Sequence, residues 1–138
     1  MITLANIHSE RLDDTLRVAF TAKLFGGHFP TKLEPKIYGM ADMLAPAYNG
    51  GYWHFYGLSN GGFYMAPATD TVFVVSCENG FDGKLSADAL GITACLYAYS
   101  NLSFGEGAFP QTCAQHYQLL REFSMEHAEA RAILRATD

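Results

Sequence analysis

Tyr52-Trp53-His54-Phe55-Tyr56-Gly57-Leu58, then Ser59-Asn60-Gly61, then Gly62-Phe63-Tyr64-Met65-Ala66, is the stretch whose reading decides the fold. Two short aromatic runs flank a tripeptide whose Asn-Gly step tolerates the positive φ of a tight turn, so the segment reads as a β-hairpin. Val72–Cys77 is short and β-branched and reads as a third strand. Glu78–Gly83, around Asn79-Gly80, reads as the next turn. The expectation is a small antiparallel meander. From Met43 to Cys77 the only formally charged residue is Asp70.

On either side of this block the apolar spacing changes from two to about 3.6. Leu12, Leu16, Phe20 and Leu24 mark a first helix, with Ser9 or Asp13 as its cap and Gly26-Gly27 as its end. Leu33, Ile37, Met40, Ala41 and Leu44 mark a second, with Thr31 and Glu34 as a capping box and Pro46 beyond it. After the strands, Ser86 caps a helix over Ala87–Leu102, with Asp88 in its first turn. That helix is apolar nearly all round, which predicts a central, buried position. Its polar members Thr93, Ser100 and Asn101 argue against a bilayer span. Gly105, Gly107 and Pro110 form a linker. A last helix starts near Gln111, carries Cys113, Tyr117, Leu120 and Phe123, and continues past a break near His127 through Ile133 and Leu134. The order of elements predicts an α+β fold: one domain over residues 1–138, with a small antiparallel sheet packed by four to five helices.

Composition narrows the function classes. The chain has 138 residues, 49% of them hydrophobic and 17% charged, enough to bury a substantial core. A net charge of −5 lacks the basic footprint that nucleic-acid binding needs and disfavours an anionic membrane surface. Cys77, Cys95 and Cys113 are widely spaced in apolar contexts, which predicts reduced core thiols. Met1–Glu10 has neither a basic nor an apolar leader segment, so a cytoplasmic protein is expected.

Sites of chemistry are few. His8, His28, His54, His116 and His127 show no metal-ligand spacing, and no metal or cofactor is expected. No GxSxG elbow is present, and Gly50-Gly51 and Gly61-Gly62 precede strands rather than open a helix, so they read as turn glycines. An enzymatic alternative would need Asp88, Asn79 and His54 to line one pocket.

Two surfaces remain open. Alternation along the first hairpin strand puts Trp53 and Phe55 on one face and Tyr52, His54 and Tyr56 on the other. Either helices cover both faces, or one face presents amphipathic rings to a protein partner. The candidate contact residues are Tyr48, Asn49, Tyr52, Trp53, Tyr56, Asn60, Tyr64 and Asp88. Glu122, Glu126 and Glu129 fall at i, i+4 and i+7 of the last helix as an acidic stripe. A DNA mimic needs a dense ladder, since duplex DNA carries one charge per roughly 1.7 Å of axis. Three glutamates beside Arg121, Arg131 and Arg135 read instead as a solvated helix face.

Tyr48–Tyr56, Leu58–Pro67 and Asn79–Ile92 resemble, in content and spacing, the signature blocks of the ArdB/KlcA antirestriction family. Leu24-Phe25-Gly26 and Ala128–Asp138 resemble its flanks, so the likeness runs from residue 24 to the end. The resemblance implies an inhibitor carried on plasmids and other mobile DNA that relieves type I restriction-modification of incoming foreign DNA. Taken with the uncharged aromatic hairpin, it leads to an expected contact with the type I restriction complex, or with a host protein on which that complex depends. The net charge of −5 leads to no expected direct binding of nucleic acid. DNA mimicry is the alternative. The family motif assigns no catalytic residues, so none is carried over.

Overall fold

In the computed structural model, residues 6–138 are described; the first half of the segment read as lacking a leader lies outside them. The hairpin is formed by β2 (Trp53–Leu58) and β3 (Phe63–Pro67), antiparallel with Phe55 opposite Met65 and Tyr56 opposite Tyr64. Its turn is closed by Leu58 N–H to Gly62 O and Gly61 N–H to Leu58 O, both 2.9 Å. Gly61 has φ +93°, the conformation for which the Asn-Gly step was read. β1 (Ser9–Leu12) adds to the free edge of β2, with Leu12 opposite Phe55. It was not expected; Ser9 lies in this strand and does not cap a helix.

The third strand of the expected meander pairs elsewhere. β4 (Val72–Ser76) joins β5 (Asp82–Ser86) in a separate two-stranded sheet, and the three-stranded sheet has the order β1-β2-β3. The reason lies at the outer edge of β3. There Tyr99 donates its hydroxyl to Phe63 O at 2.8 Å, and the Cys95 thiol points to Met65 O at 3.7 Å. Both residues belong to α3 (Ala87–Leu102). The helix occupies the carbonyls a neighbouring strand would use, so β4 cannot dock. Gly91 permits this approach: a Cβ there would sit 2.4 Å from Ala66 Cα and Met65 O.

α3 has the expected bounds and cap, with Ser86 Oγ accepting from Ala89 N–H at 3.1 Å. Leu90, Ile92, Leu96 and Tyr99 are fully buried along it. Burial of each such side chain contributes about 1.5–3 kcal/mol, which makes α3 the axis of the core.

α1 (Asp14–Phe25) is capped by Asp13, whose Oδ1 accepts from Leu16 N–H at 2.7 Å, and ends at Gly26 with φ +61°. Its buried residues are Thr21 and Phe25, whereas Leu16 is 54% exposed. The expected four-residue stripe therefore does not face the core over its whole length, because Leu12 belongs to β1 and the helix packs mainly through its C-terminal half. α2 (Glu34–Leu44) buries Ile37, Met40, Ala41 and Leu44 as expected. It is entered through a π-helical turn, Phe29–Leu33, and the expected capping box is absent: the Thr31 hydroxyl donates to Gly27 O at 2.8 Å.

α4 (Ala108–Ser124) begins just after its cap residue Gly107, earlier than Gln111, and the break near His127 separates it from α5 (Ala130–Thr137). The break dissolves the acidic stripe. Glu122 lies exposed on α4 and Glu126 in the connecting turn. Glu129 precedes α5 and turns inward to accept from Ser86 N–H at 2.9 Å and from the Ser86 hydroxyl. Cys77, Cys95 and Cys113 are free and buried. Among the described residues no helix is long and apolar enough to cross a membrane. The whole is an α+β fold of helices around two small antiparallel sheets.

Candidate functional site

β2 alternates as its sequence requires. Trp53 and Phe55 point into the core at 1% and 3% exposure, and His54 and Tyr56 remain half-buried on the other face. Trp53 is an anchor and takes no part in the outer surface: its Nε1–H donates to Tyr48 Oη at 3.0 Å, and the Tyr38 and Tyr48 rings meet it edge-on. That contact fixes the start of the loop Tyr48–Tyr52. Gly50 (φ +93°) and Gly51 (φ +110°) then turn the chain through conformations that L side chains rarely adopt. Tyr52 emerges 56% exposed.

Two adjoining clefts result. One, about 290 Å³, is walled by Tyr48, Asn49, Tyr52, Thr71 and Phe73. The other, about 300 Å³, is walled by Arg11, His54, Tyr56, Asp70 and Asp88. Pro67, Ala68 and Thr69 line both, so the two clefts, together the groove, share one wall at the end of β3.

The ring of Tyr52 is tied down at its tip. Its hydroxyl donates to Asp14 Oδ1 and accepts from Arg17 Nη1 at 2.7 Å. The Asp14 hydrogen bond raises its pKa above the ordinary value. Arg17 also donates to Trp53 O at 3.0 Å and lies 3.5 Å over the Phe55 ring. His54 stands edge-on to Tyr52 and Tyr56, with centroids at 5.8 and 6.3 Å. Burial, then Arg11 and Arg17, lower its pKa, so the imidazole is neutral near pH 7.

Behind the groove runs a polar network. Tyr56 stacks on Tyr64 at 4.7 Å, and Tyr64 on Phe123 of α4 at 5.6 Å. Tyr64, 2% exposed, donates its hydroxyl to Asp88 Oδ1 at 2.8 Å. Burial, then Asp88, raises its pKa, so it remains a donor. The other Asp88 oxygen faces His127 Nε2 at 2.8 Å, and His127 Nδ1 accepts from Glu129 N–H at 2.9 Å. A backbone N–H can only donate, so Nδ1 carries no proton and the Nε2–H must point to Asp88.

Of the sequence-derived contact residues, Asn49 and Tyr52 are exposed, and Tyr48, Tyr56 and Asp88 line the groove half-buried. Trp53 and Tyr64 support it from inside. Asn60 belongs to the hairpin turn: its Nδ2 donates to Leu119 O at 2.9 Å and its Oδ1 accepts from Gly62 N–H at 3.0 Å. Asp88 and His54 share the groove, but Asn79 does not join them. Its amide donates to the α5 carbonyls of Arg135 and Ala136, which leaves the enzymatic trio unassembled. Sequence reasoning missed Arg11, Asp70, His127 and Glu129. The one signal for the last two was the helix break near His127. The groove offers carboxylates, a guanidinium and aromatic edges for hydrogen bonding and stacking, and among the described residues no His/Cys/Asp/Glu group could hold a metal ion.

The family model described as "Antirestriction protein" matches residues 46–138. An antirestriction protein KlcA of Escherichia coli is 42% identical, over 96% of this chain and 94% of its own length. Uncharacterized protein YafX of Escherichia coli strain K12 is also 42% identical, over 91% and 84%. A solved structure from a description of the KlcA and ArdB proteins superposes with a TM-score of 0.90 at 35% identity, covering 99% of this chain and 100% of that one. Those proteins are described as showing a novel fold and antirestriction activity against type I DNA restriction systems in vivo but not in vitro. On these matches the chain belongs to the antirestriction protein family.

Proposed function

We propose that this protein, acting in the cytoplasm as a single domain, relieves type I restriction of incoming DNA by binding a protein and without catalysis. The partner is the restriction complex itself or a host protein on which restriction depends. The observation that carries this reading is the groove beside β2 and β3, where Tyr48, Asn49, Tyr52, Tyr56 and Asp88 converge around one wall, 67–69. Its mix of aromatic rings and fixed hydrogen-bonding groups is the chemistry of a protein contact. Activity of KlcA and ArdB in vivo but not in vitro supports a protein partner beyond the restriction enzyme's DNA-binding groove. DNA mimicry has no comparable support, because Glu129 is turned onto Ser86 and only Glu122 and Glu126 of the stripe remain exposed.

The test pairs two measurements: restriction of unmodified DNA in cells expressing the protein, and cleavage by a purified type I enzyme in its presence. Relief in cells without inhibition in the tube is the expected result and assigns the partner to the host. Inhibition in both assigns it to the enzyme. Unchanged restriction in cells overturns the proposal.

A further inference from the structure

We propose that the cleft between β5 and α5 is a second docking site, which takes an acidic segment of a partner protein. It has a volume of about 320 Å³ and shares no lining residue with the groove described above. Lys84 reaches it from β5, and Arg131 and Arg135, one helical turn apart, reach it from α5. All three are exposed, and none is in an ion pair among the described residues.

The acids nearby offset only part of this charge. Glu129 lines the cleft with both oxygens held by Ser86, so the lining carries three cations against one carboxylate. Asp138 pairs with Arg121 at 3.7 Å and is not among the lining residues. Asp82 is the nearest acid on the strand, two residues from Lys84 and on the same face. The cleft thus concentrates positive charge within a chain of net charge −5.

Its floor is apolar and built. Phe81 and Ala132 line it, and the Phe81 ring lies over Gly83 so closely that a Cβ there would sit 2.7 Å from Cζ. α5 is held in place from behind, with the Asn79 amide and the Tyr97 hydroxyl both donating to Ala136 O. A fixed apolar floor with a rim of two guanidiniums and an ammonium suits carboxylates flanking an apolar side chain, since guanidinium pairs with carboxylate in a planar fork. Nucleic acid is a poorer occupant: three cations make a short track, and the remaining surface repels phosphates.

The probe is a fluorescein-labelled peptide of alternating Glu and Asp around one central Leu, read by fluorescence anisotropy at low salt. Binding should weaken by about tenfold or more in Lys84→Glu/Arg131→Glu/Arg135→Glu, and fade with added salt. Arg131→Gln/Arg135→Gln, which removes charge without reversing it, should weaken it in the same direction. Lys23→Glu/Lys32→Glu, elsewhere on the surface, should leave it within about twofold. The proposal is overturned if the wild type does not bind the peptide, if the triple variant binds it equally well, or if a single-stranded oligonucleotide of equal charge binds more tightly. Because the readout is peptide binding, its failure leaves the antirestriction reading untouched.

Discussion

His127 and Asp88 meet through a single hydrogen bond whose direction is set from outside the pair. The Glu129 N–H fills His127 Nδ1 at 2.9 Å, so the proton resides on Nε2 and is donated to Asp88 Oδ2 at 2.8 Å. The contact joins the start of α3 to the turn between α4 and α5, immediately behind the groove.

That geometry predicts which substitutions are tolerated. His127→Gln keeps an Nε2 donor for Asp88, whereas His127→Ala leaves a half-buried carboxylate oxygen unpartnered. Loss of such a bond costs about 1–3 kcal/mol. Urea denaturation should show most of that loss in the alanine variant and much less in the glutamine variant. Equal losses would mean that the ring's packing against Phe123, and not the hydrogen bond, carries the effect.

Two glycines should answer the same substitution with opposite signs. Gly91→Ala puts a methyl group 2.4 Å from the β3 backbone, and overpacking of this kind costs roughly 1–3 kcal/mol or more. Gly39→Ala, in the middle of α2 with nothing within 4 Å, gains about 1 kcal/mol of helix propensity. Thermal melts of the two variants should move to opposite sides of the wild type. A Gly91→Ala protein as stable as wild type would refute the direct packing of α3 on β3.

His116 should make the protein acid-sensitive. Its Nδ1 is buried with no partner among the described residues, packed against Phe25 and Tyr99 at 4.8 and 5.7 Å. Burial lowers its pKa from 6.5 to about 4. Between those values the unfolded chain binds a proton that the folded chain refuses, so stability falls as pH drops from 6.5 towards 4. At 1.36 kcal/mol per pKa unit, the loss reaches about 3 kcal/mol at the lower end. His116→Leu removes the titrating group, so the gap between its urea midpoints at pH 7 and pH 5 should be smaller than in wild type.

In the groove, Tyr52→Ser and Asp70→Lys alter exposed groups without entering the core. Each should lower relief of restriction in cells by about tenfold, as loss of one contact residue does in a protein interface. Thermal stability should be nearly unchanged in Asp70→Lys and fall slightly in Tyr52→Ser, which loses its bonds to Asp14 and Arg17. Asn60→Ala should instead lower stability, because its side chain bonds to Leu119 O and Gly62 N–H. Full relief in both groove variants would move the contact surface elsewhere.

Sequence by itself determined the elements whose cause is local. The Asn60-Gly61 turn, the alternation of Trp53 and Phe55 against His54 and Tyr56, the Ser86 cap and the burial of Ala87–Leu102 follow from backbone preference and apolar spacing. The groove residues on the Tyr48–Tyr56 run were legible for the same reason. Tertiary structure alone decided which other strands join this hairpin and which do not. β1, with the pattern Ser9-Glu10-Arg11-Leu12, has little strand character and forms because the edge of β2 is open. β4 leaves the hairpin because Tyr99 and Cys95 already hold the β3 carbonyls. Arg11 meets the groove, and His127 meets Asp88 behind it, across long stretches of chain, and no periodicity records such a meeting. Spacing reports which face a side chain takes; which other segment meets that face is settled only when helices and strands compete for the same unpaired backbone groups.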